Sequence, residues 1–248
     1  MFQFPIRFLS KNVGSSKRYA AFTLAEVLIT LGIIGVIAAL TIPTLIKKTN
    51  DKETIVALKK AYSILSSSYT LAVQENGSPE TWTKDPLAVL KPYLKVSKDC
   101  SDFSTGCFGP GVTYKLLNGG DDAAYDTGGQ TGLILVDGTT LMYQVDSSTC
   151  TKPVGSSDSL QSECGQIYVD INGNKKPNQW GVDAYLFHLT KLGVIPFGTP
   201  RETEWPFSVE CQDKTRSGFS CSGWLIYNDN MDYRKCSDLD WAGKLQCG

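Results

Sequence analysis

Three sets of side chains in this 248-residue chain carry chemistry by type and spacing. The largest is eight cysteines: Cys100, Cys107, Cys150, Cys164, Cys211, Cys221, Cys236 and Cys247. None has the close C-x-x-C spacing of zinc sites, and His188 is the sole histidine, so thiolate zinc ligation is disfavoured. Their confinement to one part of the chain predicts disulfides made in an oxidising compartment. Their order suggests pairing between consecutive cysteines, but the sequence leaves the connectivity open. The second set is Asp170, Asn172 and Asn174 at alternate positions, followed by Asp183. Oxygen ligands at such spacing can wrap a hard cation such as calcium. The same residues also suit a hairpin loop whose Asx side chains bond their own backbone. Gly181 stands where a twelve-residue helix-loop-helix calcium loop places its bidentate Glu. The third is a single acid, Glu26, in an apolar run.

Nucleophilic catalysis finds no support. His188, in Tyr185-Leu186-Phe187-His188-Leu189, reads as a half-buried strand residue rather than a base. There is no Gly-x-Ser-x-Gly and no phosphate-binding glycine-rich loop. The five tryptophans offer a surface for a glycan, although core packing explains most of them. A formal net charge of −1 argues against a general nucleic-acid binder, which needs a basic surface.

The elements that position these groups begin with an asymmetry at the N-terminus. Residues 1–21 hold Arg7, Lys11, Lys17 and Arg18 and no acid, and the remainder of the chain is acidic. Phe22 to Ile46 then runs with Glu26 as its one ionisable group. As a helix rising ~1.5 Å per residue it outreaches a hydrocarbon core of ~30 Å. Basic residues ahead of the span predict a cytoplasmic N-terminus. A secretory signal peptide shares the basic start, but its apolar centre is shorter than this run. An acid in hydrocarbon is costly, so Glu26 calls for a partner. Gly35 and Ala39, four apart, suit close helix approach, and Pro43 removes one helix hydrogen bond and can kink the rod.

The string Ala21-Phe22-Thr23-Leu24-Ala25-Glu26-Val27 resembles the cleavage and methylation motif of type IV prepilins and type II secretion pseudopilins. Ala21 stands where the family usually has Gly. The resemblance implies cleavage by prepilin peptidase between Ala21 and Phe22 and N-methylation of Phe22. It also implies assembly through Glu26, which would neutralise the new amine of an adjoining subunit, with Pro43 and Gly35 shaping the packed helix. Pilin-like heads contain a similar Asp-x-Asn-Gly stretch, and some pseudopilins bind calcium in a head loop. Implied partners are other pilin or pseudopilin subunits, prepilin peptidase and an inner-membrane assembly platform, with no specific nucleic acid.

Residues 47–76 turn amphipathic: Ile55, Leu58, Tyr62, Leu65, Tyr69 and Ala72 recur at helical spacing until Gly77-Ser78-Pro79. Residues 77–248 read as a β-rich head. Asp137-Gly138 between two apolar runs predicts a type I′ hairpin over 132–145. Residues 166–170 and 184–189 form a second pair, and 112–117 is a further strand or a connector. The expected fold is α+β: a long N-terminal helix packed on an antiparallel sheet of about four strands, with a disulfide-rich C-terminal region of loops and short strands. The organisation follows as leader 1–21, membrane or filament-core helix 22–46, amphipathic continuation 47–76 and head 77–248. The expected function is a non-enzymatic structural subunit of a pilus or pseudopilus. It would sit single-pass in the bacterial cytoplasmic membrane, its head in the periplasm or on the cell surface. The alternatives are a minor pilin acting as adhesin or ligand-binding subunit, and a membrane-anchored exported enzyme.

Overall fold

The computed structural model describes residues 23–100, 112–122 and 131–247. The chain divides into two compact units, Met1–Lys47 and Lys48–Gly248. Helix α1 (Leu24–Asn76) is a single 53-residue α-helix with Pro43 inside it. Proline is tolerated there although its ring removes one i→i−4 bond, because the surrounding turns are strongly helical. Over residues 24–46 the large apolar side chains are exposed, among them Leu24, Ile34 and Leu40. From Ile55 on, one face is buried through Leu58, Ala61, Leu65, Tyr69 and Ala72. That face is the stripe read from the sequence.

In the second unit this stripe packs on an antiparallel sheet of six strands in sequential order. The strands are β1 (Val96–Cys100), β2 (Thr131–Leu135), β3 (Thr140–Val145), β4 (Glu163–Asp170), β5 (Ala184–Thr190) and β6 (Gly193–Pro196). The two central hairpins match the sequence reading, with Leu133 opposite Leu141 and Asp170 opposite Ala184. The expected four strands become six because short edge strands add at both ends. Neither β1 nor β6 alternates clearly in sequence, and each depends on its neighbour for hydrogen bonds. Residues 112–117 form no named strand; Lys115 makes isolated bridges to Asp121 and Gln179.

The period-two rule sorts the strand residues onto two faces. Leu141, Tyr143, Ile167, Val169, Tyr185, Phe187 and Leu189 join the α1 stripe in the main core. Tyr62 stacks on Phe187 with ring centroids 5.7 Å apart. On the opposite face Met142, Ala184 and Leu186 pack with Tyr114, Trp180 and Phe197. Covering both faces leaves every residue of β5 buried, His188 included.

The β2–β3 turn differs from the expected type I′. Among its residues only Gly138 has positive φ, at 91°, and its N–H bonds to Leu135 O at 3.0 Å. A type I′ turn requires positive φ at both central residues. The loop is therefore three residues long, with glycine in the left-handed position closing a bulge. The C-terminal region is also not the expected set of short strands. It forms helices α2 (Phe207–Glu210) and α3 (Ser222–Asn228), with single helical turns at Phe219–Cys221 and Asp232–Arg234. These segments are too short to show a period; Phe207, Trp224, Leu225 and Tyr233 fold onto the main core and hold them helical.

Disulfides join Cys150 to Cys164, Cys211 to Cys221 and Cys236 to Cys247. Cys100 is disulfide-bonded as well, while Cys107 lies outside the described residues. Each described bridge closes a short loop between consecutive cysteines.

Candidate functional site

Ala21 and Phe22 lie outside the described residues. The first residues described after them form a reciprocal helix cap. Glu26 N donates to Thr23 Oγ1 at 3.2 Å, and the Glu26 carboxylate accepts from Thr23 N and Thr23 Oγ1, both at 2.8 Å. This is a capping box: an N-cap hydroxyl and a carboxylate three residues later satisfy each other's turn of backbone. It also gives a carboxylate at the head of an apolar span two charge-assisted bonds. The sequence reading singled out Glu26 and missed Thr23, although the pattern Thr-x-x-Glu before an apolar run is a legible signal.

Below the cap, α1 presents a bare apolar surface. A Cβ added at Gly32 or Gly35 would meet nothing within 4 Å, so neither glycine is required by contacts within the chain. Thr30 and Thr41 turn their hydroxyls back to the carbonyls of Val27 and Ile37, which hides them from an apolar surrounding. By length and composition the helix can cross a membrane.

In the head, the structure brings together Asp170, Asn172 and Asp183 and leaves Asn174 exposed in the loop. Tyr114 Oη donates to Asp170 Oδ2 at 2.5 Å, and Asn172 N to Asp170 Oδ1 at 3.0 Å. Asp183 accepts from Asn178 N, Gln179 N and Asn172 Nδ2. With its amide nitrogen inward, Asn178 donates to the carbonyls of Gly173 and Lys175. Burial pushes Asp170 up to about 7, offset in part by the Tyr114 hydroxyl, and the nearby Asp183 charge adds to the rise. Burial likewise raises Asp183 against its backbone donors. Asn172 Oδ1 is buried without a partner. Among the described residues no three or more His, Cys, Asp and Glu converge on a metal position. A cation here would rest on two carboxylates and amide oxygens. Tyr114 and Gln179 come from outside the alternating pattern, so spacing alone did not find them.

His188 is fully buried rather than half-buried. Its Nδ1 lies 2.6 Å from Glu163 Oε1 and its Nε2 3.2 Å from Glu202 Oε1. No sequence signal announces this cluster, because its members are separated by strands and loops. Of the five tryptophans, Trp180 and Trp224 are fully buried, as core packing predicts.

Residues 16–42 match the model of the prokaryotic N-terminal methylation motif. The motif, the long apolar helix and the α+β head are consistent with the type IV pilin and pseudopilin family, which is structural rather than enzymatic. The motif supports a pilin-type precursor and implies prepilin peptidase and other pilin subunits as partners, and the apolar helix fits a membrane anchor. No curated protein and no solved structure gives a significant match to the chain.

Proposed function

We propose that this chain is a structural subunit of a type IV pilus or a type II secretion pseudopilus. Prepilin peptidase cuts between Ala21 and Phe22 and methylates the new amine, and the mature subunit assembles through its N-terminal helix. The observation that carries this reading is the exposed apolar surface of residues 24–46 with one carboxylate at its head. Such a surface is satisfied by lipid before assembly and by neighbouring helices afterwards. Glu26 then meets the cationic Phe22 amine of an adjoining subunit, a buried pair in which losing one partner is worse than losing both. Gly35 leaves room for a neighbouring helix, and Pro43 sets where the rod can bend. The head stands on the exported side of the cytoplasmic membrane, where its disulfides form.

Mass spectrometry of the protein from its native cell tests the processing: an N-methylated Phe22 terminus is expected, and a chain that still begins at Met1 counts against it. Glu26→Ala is expected to insert in the membrane and to enter filaments at least tenfold less; unchanged filament incorporation removes the pairing mechanism.

Calcium at the head loop is a second proposal, favoured by the partnerless Asn172 Oδ1 between two buried carboxylates. Asp170, Asn172 and Asp183 would hold the ion, which would offset their mutual repulsion. Calcium against chelator is expected to raise the melting temperature, and Asp183→Asn to abolish the rise; no shift in the unmutated protein ends the idea.

A further inference from the structure

We propose that Glu163, His188 and Glu202 form a buried charge clamp that fastens the turn after β6 to the sheet, and that it opens when the imidazolium loses its proton. The three groups come from β4, β5 and the turn, and the side chains of all three are inaccessible to solvent. One imidazolium between two carboxylates is the arrangement that can keep both acids charged there. Phe197 stacks on the ring with centroids 3.7 Å apart, closing the remaining side.

A second cation braces the outer edge. Lys152 reaches Asp146 and Glu204 at 3.0 Å and the far oxygen of Glu163 at 3.3 Å. Asp146 and Lys152 belong to the β3–β4 loop and Glu204 to the turn, so the loop is joined to the turn beside the clamp. Tyr143 and Tyr168 are the other titratable groups that sense Glu163, and burial holds both phenols protonated. Opposite His188 on its two neighbouring strands stand Gln166 and Ile195, which carry no charge.

The β3–β4 loop is held to β4 independently, by the Cys150–Cys164 disulfide and by the bonds of Asp146 N and Ser147 N to Cys164 O and of Glu163 N to Lys152 O, whereas the turn meets the loop through a few backbone bonds. Ser156 N donates to Arg201 O, and Thr203 N and Glu204 N both donate to Val154 O. Gly155 pairs with Glu202 so closely that an added Cβ would lie 2.5 Å from Arg201 O. Gly198 N donates to Glu202 Oε2 at 2.6 Å, which ties the turn to the same carboxylate.

The sign of the pH effect follows from the cluster. Burial by itself would lower His188, but its hydrogen bond to Glu163 and the nearby Glu202 carboxylate outweigh it and push the imidazole up to about 9. A raised histidine contributes stability that is complete below its ordinary pKa of ~6.5 and is lost as pH rises through about 9. Loss of the proton leaves two buried carboxylates facing a neutral ring, and an uncompensated buried charge is strongly destabilising. Burial also raises Glu202, against the lowering by His188.

The full chain in detergent micelles serves for the test, read by amide hydrogen exchange at pH 7 and pH 9.5 after correction for intrinsic rates. Ser156, Gly198, Thr203 and Glu204 are expected to lose protection by about tenfold or more, as a change of one or more pK units implies, while β2 and β3 amides hold theirs. His188→Gln is expected to show the weakened protection already at pH 7 and no further change. Because His188 is the only histidine, its imidazole nitrogen signals read the titration without mutation, and Glu202→Gln is expected to move that titration down. Titration of His188 at or below its ordinary value overturns the proposal, as does pH-dependent exchange that His188→Gln leaves unchanged.

Discussion

The two halves of α1 are one helix in two solvents. Leu40, in the first half, is 73% exposed, and Leu58, in the second, is 0% exposed, though both are leucines in good helical turns. The first half has no polar face, so nothing in its pattern directs it onto a particular partner. The second half alternates apolar and charged residues at helical spacing, and its apolar stripe finds the sheet. Its charged side is tied at the edges by Lys59 to Asp229 and Arg234 to Asp51. A stripe specifies one partner within the chain, whereas a uniformly apolar surface specifies an environment. That surface is therefore the part left over for lipid or for other subunits.

The sharpest way to break this comparison is a matched pair of truncations. Leu58→Ala is expected to destabilise the head by about 2–5 kcal/mol, the usual cost of a cavity at a filled leucine site. Leu40→Ala, of the same chemistry, is expected to leave head unfolding within about 0.5 kcal/mol and to act on filament incorporation instead. Equal effects of the two on urea unfolding would dissolve the distinction.

A second test separates the halves through covalent chemistry. Replacing both Cys211 and Cys221 by Ser removes a fully buried bridge and is expected to cost about 2–5 kcal/mol. Membrane insertion of the chain should be unchanged, since no cysteine lies in α1. A fall in insertion, measured by carbonate extraction, would show that the halves are not independent.

The smallest expected effect lies at the capping box. Thr23→Ala removes the N-cap hydroxyl and is expected to weaken the first turn of the helix by about 1 kcal/mol, seen as faster amide exchange at Leu24 to Val27 in micelles. Head stability should not respond. If exchange in that turn is unaltered, the cap is incidental and Glu26 stands without local support.

Much of this was legible along the chain. The apolar run, Glu26, the amphipathic stripe and the two central hairpins each depend on residues close in sequence, where periodicity and turn chemistry act directly. Thr23 was equally legible, since its partner is three residues away. The edge strands were not, because β1 and β6 exist through bonds to strands already formed. The C-terminal helices were not, because segments of four to seven residues have no stable helical state of their own and are selected by the aromatic core they cover.

By itself the sequence determined that one greasy segment with a single acid follows a basic start, that a striped helix comes next, and that alternating strands come after it. These are properties of neighbours within a few residues, and local sterics and solvent preference suffice to set them. Only the tertiary structure decided that Glu163, His188 and Glu202 meet in the interior, and that Tyr114 reaches Asp170. The physical reason is distance along the chain: residues far apart acquire strong interactions only after folding excludes water between them and makes each charge depend on the others.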